Sequence, residues 1–273
     1  MIRFPYAKIN LGLNVVRKRS DGWHEIESVL VPIPLHDIVE VVEAPDLGPG
    51  VLEMTRSGLP VAGELTSDLC WRAVKAAGQL RALPGLRLHL HKVVPMGAGL
   101  GGGSSDASHT LLLLNDLLRL ELSPNELHTL AASIGSDCPF FLSPTPQLAE
   151  GRGEQLRPAP LDLKGIRLLL VNPGLHVPTP EAYALTKPTG RSMDLVGALA
   201  APMEEWQATV RNAMEHGVFE KWPEIRAIKE RLLASGAAYA AMSGSGSSVF
   251  GLFRKEPPDI TWPEHYFVRQ LCW

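Results

Sequence analysis

From residue 86 to residue 91 apolar and polar positions alternate, with Leu86, Leu88 and Leu90 on one side and Arg87, His89 and His91 on the other. A period of two predicts a half-buried strand. Beyond a glycine-rich stretch, Leu111, Leu114 and Leu118 recur at the spacing of one helical face. Near the start, residues 9–16 alternate as well. Residues 26–31 and 38–42 continue as strand-like segments between proline and aspartate turns. A helix is expected over about 68–80, with Ser67 or Asp68 as its cap. Ser123-Pro-Asn-Glu126 has serine at the cap, proline at the first helical position and glutamate at the third, and opens another helix that ends at Gly135.

In the second half, residues 166–171 read as a buried strand and residues 204–216 and 222–235 as helices. Residues 238–242 and 248–253 read as strands joined by a Gly-Ser turn, and residues 265–271 as a last strand. Strands and helices mix in both halves, which argues an α+β class. Pro144, Pro146, Pro158 and Pro160 punctuate the middle and place a boundary near residue 145, dividing 1–145 from 146–273.

Composition narrows the function without choosing it. Of 273 residues, 45% are hydrophobic and 20% charged, enough for one large or two smaller domains. A net charge of −3 carries no basic excess that would point to nucleic acid or a membrane surface. Cys70, Cys138 and Cys272 are scattered and odd in number, as expected in a reducing compartment without a disulfide framework. The first eight residues read as the start of a strand rather than a signal peptide, and no apolar run reaches membrane-spanning length. A cytoplasmic enzyme acting on a small molecule is the expectation; monomer and homodimer are equally open.

The candidate chemistry begins with Pro95-Met96-Gly97-Ala98-Gly99-Leu100-Gly101-Gly102-Gly103-Ser104-Ser105, followed by Asp106. Five glycines within residues 97–103 let the backbone N–H groups converge on one anion, most often phosphate. The predicted order is strand, loop, helix N-terminus, with Ser104 or Ser105 as cap and Asp106 in the first turn, so the helix dipole adds to the attraction. Gly97-x-Gly99-x-x-Gly102 also satisfies the dinucleotide fingerprint. Glu121 falls near the distance of its acidic residue, but more helix-like sequence follows where that motif needs a strand. A P-loop requires Gly-Lys-Ser/Thr where Gly103-Ser-Ser stands, and the segments of protein kinases are missing.

Phosphoryl transfer needs a phosphate cradle, positive charge, a metal carried with the nucleotide, and a group for the acceptor's proton. Lys8 is the leading cation. It sits among Ala7, Ile9 and Leu11, and is either at a strand edge with its head in water or aimed into a site. Asp137 lies in Gly135-Ser-Asp-Cys-Pro139, a turn where its ordinary duty would be capping. Trp23, beside Gly22, is large for an exposed turn. His89 and His91 have no further ligand nearby and are expected to face solvent rather than a metal.

Pro-x-Gly-x-Gly-Leu-Gly-x-x-Ser-Ser resembles the phosphate loop of the GHMP kinases. Ala7-Lys-Ile-Asn-Leu, Asp21-Gly-Trp-His24, Gly135-Ser-Asp-Cys-Pro-Phe140, Pro173 to Tyr183 and Met242-Ser-Gly-Ser-Gly-Ser247 resemble further segments of members that act on cytidylated alcohols. The resemblance implies a ribosomal-S5-domain-2-like first domain, a ferredoxin-like second domain, and ATP with Mg²⁺ as the phosphoryl donor, with no protein ligand for the metal named. It implies Asp137 as base, Lys8 as its electrostatic partner, and Asn10 against the substrate near the transferring phosphate. Trp23 and Tyr183 would cover the two faces of a cytosine, and His24 would read its edge. Trp23 departs from the usual tyrosine, Asn212-Ala-Met-Glu215 from Asn-Asp-x-Glu, and Asp68-Leu69 from Asn-Leu near the adenosine. Two rival readings are a GHMP kinase for another small alcohol and a nucleotide-binding regulator that has lost catalysis.

Overall fold

The computed structural model describes all 273 residues. The strands are β1 (Ile2–Arg3), β2 (Tyr6–Lys18), β3 (His24–His36), β4 (Ile38–Glu43), β5 (Leu52–Gly58), β6 (Leu86–Lys92), β7 (Gln147–Glu150), β8 (Gln155–Pro158), β9 (Arg167–Asn172), β10 (Tyr239–Met242), β11 (Val249–Phe253) and β12 (Phe267–Cys272). The helices are α1 (Leu69–Leu80), α2 (Gly102–Leu117), α3 (Pro124–Ile134), α4 (Thr179–Ala184), α5 (Leu195–Leu199), α6 (Met203–Thr209), α7 (Glu215–Lys221) and α8 (Pro223–Ala234).

Two compact units result. Unit 1 comprises Met1–Ala7, Leu35–Met96 and Gly101–Pro144; unit 2 comprises Lys8–Pro34, Gly97–Leu100 and Thr145–Trp273. The expected boundary near residue 145 meets the end of unit 1, but residues 8–34 and 97–100 cluster with the second unit. The cause is pairing: β2 and β3 share a sheet with β7 and β8, in the order β2-β3-β7-β8, so early and late residues are hydrogen-bonded neighbours.

In unit 1 the sheet order is β1-β4-β6-β5, with β5 and β6 parallel and the other neighbours antiparallel. The alternation read at residues 86–91 holds: Leu86, Leu88 and Leu90 are buried and pack with Val39, Val41 and Met54 against residues of α1, α2 and α3. Each such leucine contributes about 2 kcal/mol by leaving water. Asp68 caps α1 by accepting the Cys70 N–H at 2.9 Å, an interaction worth about 1 kcal/mol. The Ser123–Glu126 capping box at α3 forms as its spacing predicts.

Unit 2 holds a second antiparallel sheet, β10-β11-β9-β12, whose core includes Leu169, Val171, Val249 and Met242 with Val218, Ile225, Ile228 and Leu232 of α7 and α8. The single helix expected over 204–216 is two, α6 and α7. Between them the backbone leaves the helix to pair with β2: Leu13 N–H donates to the Arg211 carbonyl at 3.0 Å, and Ala213 N–H to the Leu13 carbonyl at 2.7 Å. Strands β5, β7 and β8 lie outside the sequence expectation.

One histidine makes the fold of unit 1 sensitive to acid. His109 of α2 donates from Nδ1 to the Ser105 carbonyl at 2.9 Å and meets the Tyr6 ring edge-on at 5.1 Å. Burial holds its imidazole down at about 4. Between that value and the ordinary one the unfolded chain binds the extra proton, so stability falls as pH falls. Replacing His109 by Gln is expected to flatten the decline in unfolding free energy between pH 7 and pH 5 by about 2 kcal/mol, read by urea titration.

Candidate active site

The loop between β6 and α2 is a backbone device. Gly97, Gly99 and Gly101 have φ of 62°, 75° and 70°. At Gly99 a Cβ would lie 2.0 Å from the Ser243 carbonyl oxygen, so only glycine permits the approach. Helix α2 starts at Gly102 with left-handed Gly101 as its cap residue and no side-chain cap. That corrects the expected serine cap and moves Asp106 beyond the first turn. The Ser105 hydroxyl instead donates to the Tyr6 carbonyl at 2.7 Å, and Asp106 is buried against Lys92. With no capping side chain, the first-turn N–H groups of α2 are available to an anion.

Lys8 is 4% exposed, which settles between its two readings in favour of the buried one. Strand β2 turns its side chain inward, and Nζ donates to Asn10 Oδ1 at 2.5 Å and to the Gly99 carbonyl at 2.8 Å. The Lys8 main-chain N–H donates to the Leu100 carbonyl at 2.9 Å, so strand and loop are joined twice. Asn10 Nδ2 in turn donates to Ser28 Oγ at 2.8 Å. Asn10 therefore holds Lys8 in place. Ser243 Oγ donates to the Gly99 carbonyl at 2.8 Å, which brings the third glycine segment onto the loop. Asn212 donates to the carbonyls of Met242 and Gly244 at 2.8 Å each and fixes that segment.

Asp137 belongs to unit 1, immediately before a 3₁₀ turn over Cys138–Leu142, and its side chain makes no capping bond. The turn is anchored from α2: Ser108 Oγ donates to the Cys138 carbonyl at 2.7 Å. Burial pushes the Cys138 thiol up to about 11, so it is no nucleophile at neutral pH. Helix α2 thus begins at the glycine loop and also holds the aspartate turn.

The aromatic residues gather in unit 2. Trp23 is 55% exposed between β2 and β3, its N–H donates to Asp21 Oδ1 at 3.1 Å, and the Arg152 guanidinium lies 5.3 Å from its ring centroid. His24 stacks on Tyr183 of α4 at 4.6 Å and 14°. Burial, and secondarily Lys18, holds its imidazole below the ordinary value, so neutral His24 can both donate and accept towards a base. The ring that meets Tyr183 is that of His24, a direct contact the sequence did not predict.

His89 and His91 are half-buried and hydrogen-bond to Thr55 and Ser57 across the parallel β5–β6 pair. Sequence reasoning missed His176, whose Nδ1 would lie 3.0 Å from a Cβ on Gly97, and Lys92, described below. Lys92 continues the buried phase of Leu86, Leu88 and Leu90, the one signal that could have found it, but its contacts, like those of His176, are with residues distant in the chain.

Known proteins share the family and the fold of this chain. Residues 68–144 match the GHMP kinases N terminal domain and residues 192–260 the GHMP kinases C terminal domain. The chain is 46% identical to 4-diphosphocytidyl-2-C-methyl-D-erythritol kinase of Parabacteroides distasonis, covering 99% of this chain and 96% of that protein. It is 43% identical to the same-named protein of Cytophaga hutchinsonii, covering 100% and 98%. A crystal structure of 4-(cytidine 5'-diphospho)-2C-methyl-D-erythritol kinase superposes with a TM-score of 0.79 at 32% identity over 100% of both chains. The mevalonate kinase of Methanococcus jannaschii superposes with a TM-score of 0.66 at 15% identity, covering 92% and 90%, a likeness of fold.

Gly99→Ala is the sharpest test of the loop. The added methyl meets the Ser243 carbonyl, and the left-handed φ disfavours any side chain. ATP affinity is expected to fall about tenfold or more, read by titration calorimetry.

Proposed function

The chain belongs to the GHMP kinases, and we propose on that footing that it transfers the γ-phosphoryl group of ATP to the 2-hydroxyl of 4-diphosphocytidyl-2-C-methyl-D-erythritol, a step of the non-mevalonate route to isoprenoid precursors. The observation that carries the chemistry is the buried Lys8 ammonium, hydrogen-bonded into the glycine loop at Gly99. Its relatives' shared name and the stacked rings of His24 and Tyr183, with exposed Trp23 next to His24 in the chain, support the acceptor.

The loop of residues 95–105 holds the triphosphate through the backbone N–H groups of residues 96–104, since Pro95 has none and Ser105 spends its own on the Gly101 carbonyl. Magnesium enters as MgATP, held by phosphate and water. Asp137 takes the proton of the attacking hydroxyl, and Lys8 stabilises the charge that develops as the bond to the leaving phosphate lengthens. Trp23 and Tyr183 flank the cytosine and His24 reads its edge, so the base positions the distant hydroxyl. Cys70 and Cys138, both buried and unpaired, support the reading of a reducing compartment such as the cytoplasm. No helix is long and apolar enough to cross a membrane.

ATP consumption measured with the cytidylated alcohol, mevalonate, homoserine and galactose tests the reading. Turnover is expected with the first alone; turnover with another acceptor supports a different GHMP kinase, and none at all a non-catalytic regulator. Asp137→Asn is expected to bind ATP normally and to lose about 10²–10⁴ in kcat. A rate within a few-fold of the unaltered enzyme would remove Asp137 as the base. Trp23→Ala is expected to raise KM for the cytidylated acceptor about tenfold or more, from lost stacking, with KM for ATP unchanged.

A further inference from the structure

Lys92 ends β6 three residues before Pro95, and Asp106 is the fifth residue of α2. Their side chains are 0% and 2% exposed. Lys92 Nζ donates to Asp106 Oδ2 at 2.6 Å and to Asp37 Oδ2 at 2.5 Å. Asp37, just before β4, is also fully buried, and its Oδ1 accepts the main-chain N–H groups of Val93 at 2.5 Å and Val94 at 2.9 Å. A Cβ on Gly102 would lie 3.3 Å from Lys92 Nζ, so the ammonium sits against the first residue of α2. One ammonium therefore joins the strand that enters the glycine loop to the helix that leaves it, and Asp37 holds the two residues between.

Charges so deep need a reason, because apolar side chains of the same volume would fill the space at no desolvation cost. Burial would lower the Lys92 ammonium, but Asp106 and Asp37 override it and hold it above the ordinary value. Burial also pushes the Asp106 carboxyl well above the carboxylate range, against the pull of Lys92. Asp106 Oδ1 is buried with no partner inside the protein, a poor place for half of a full negative charge. Every hydrogen bond of Asp37 and Lys92 named above ends on a stem of that loop or on its partner carboxylate.

We propose that Lys92 is a positioning residue for ATP: through Asp106 and Asp37 it sets the spacing of the two stems of the glycine loop, and with it nucleotide affinity, without touching the nucleotide. The proposal rests on the assignment of the loop to ATP.

Titration calorimetry of the full-length protein, with ATP and separately with the cytidylated acceptor, tests it. Asp106→Ala detaches the helix stem. It is expected to raise the ATP dissociation constant tenfold or more and change that of the acceptor less than twofold. Asp106→Asn keeps an accepting oxygen for Lys92 and is expected to stay within threefold of the unaltered protein. The double change Lys92→Met with Asp106→Leu refills the space with apolar side chains and leaves Asp37 its two main-chain donors. It decides the matter if Asp106→Ala does not fold, and it too is expected to weaken ATP tenfold. ATP affinity within twofold of the unaltered protein in a folded variant overturns the proposal, as does an equal loss for both ligands. Gly99→Ala separates the two assignments: if it leaves ATP affinity intact, the loop is not the ATP site. If it weakens ATP while the Lys92–Asp106 variants do not, the loop assignment stands and the positioning role falls.

Discussion

A lysine ammonium taken out of water must find oxygen acceptors, and two such ammonium groups lie beside the glycine loop. Lys8 is 4% exposed and Lys92 1%. Lys8 finds the carbonyl of Gly99 and the amide of Asn10; Lys92 finds Asp37 and Asp106. The cost of leaving either unpaired is several kcal/mol, comparable to the whole stability of a domain. That cost fixes where the loop, its entering strand and its leaving helix can be. The glycines make the loop possible, and the buried cations make it particular.

Helix α2 carries the consequence outward within unit 1. Its N-terminus is open to an anion because Gly101, in a left-handed conformation, stands where a capping side chain would. Two serines and an aspartate from its first two turns are each turned to a structural duty. Ser105 holds the Tyr6 carbonyl, Ser108 the Cys138 carbonyl beside Asp137, and Asp106 the Lys92 ammonium. A helix whose early positions are spent on anchors rather than solubility behaves as a rigid base for two functional turns.

Much of this fold was legible because it obeys local periods. The β6 alternation, the Asp68 cap and the Ser123–Glu126 box are each decided by neighbours within four residues. Where the reading failed, a distant partner had overruled the local pattern. Residues 204–216 have helical composition, yet Arg211–Ala213 pair with Leu13 and break the helix. Ser104 and Ser105 are good caps by type, but the cap position falls to Gly101 and the Ser105 hydroxyl is claimed by the Tyr6 carbonyl. Residues 8–34, early in the chain, belong with the late unit because sheet order follows hydrogen bonds rather than sequence.

By itself the sequence determined the glycine loop, the order of strand, loop and helix, and the chemical class of the candidate site residues. Those depend on residue type and short spacing: glycines that permit positive φ, an aspartate between glycine and proline, a lysine in an apolar strand. The tertiary structure alone decided that Lys8 is buried and joined to the loop, that Asn10 supports it, and that Lys92 ties both loop stems. Lys92 reads in the sequence as the polar end of an amphipathic strand. Its two carboxylate partners lie 55 and 14 positions away. Pairings at such separations leave no period in the chain, because only the packed core brings the groups together and makes their pairing obligatory.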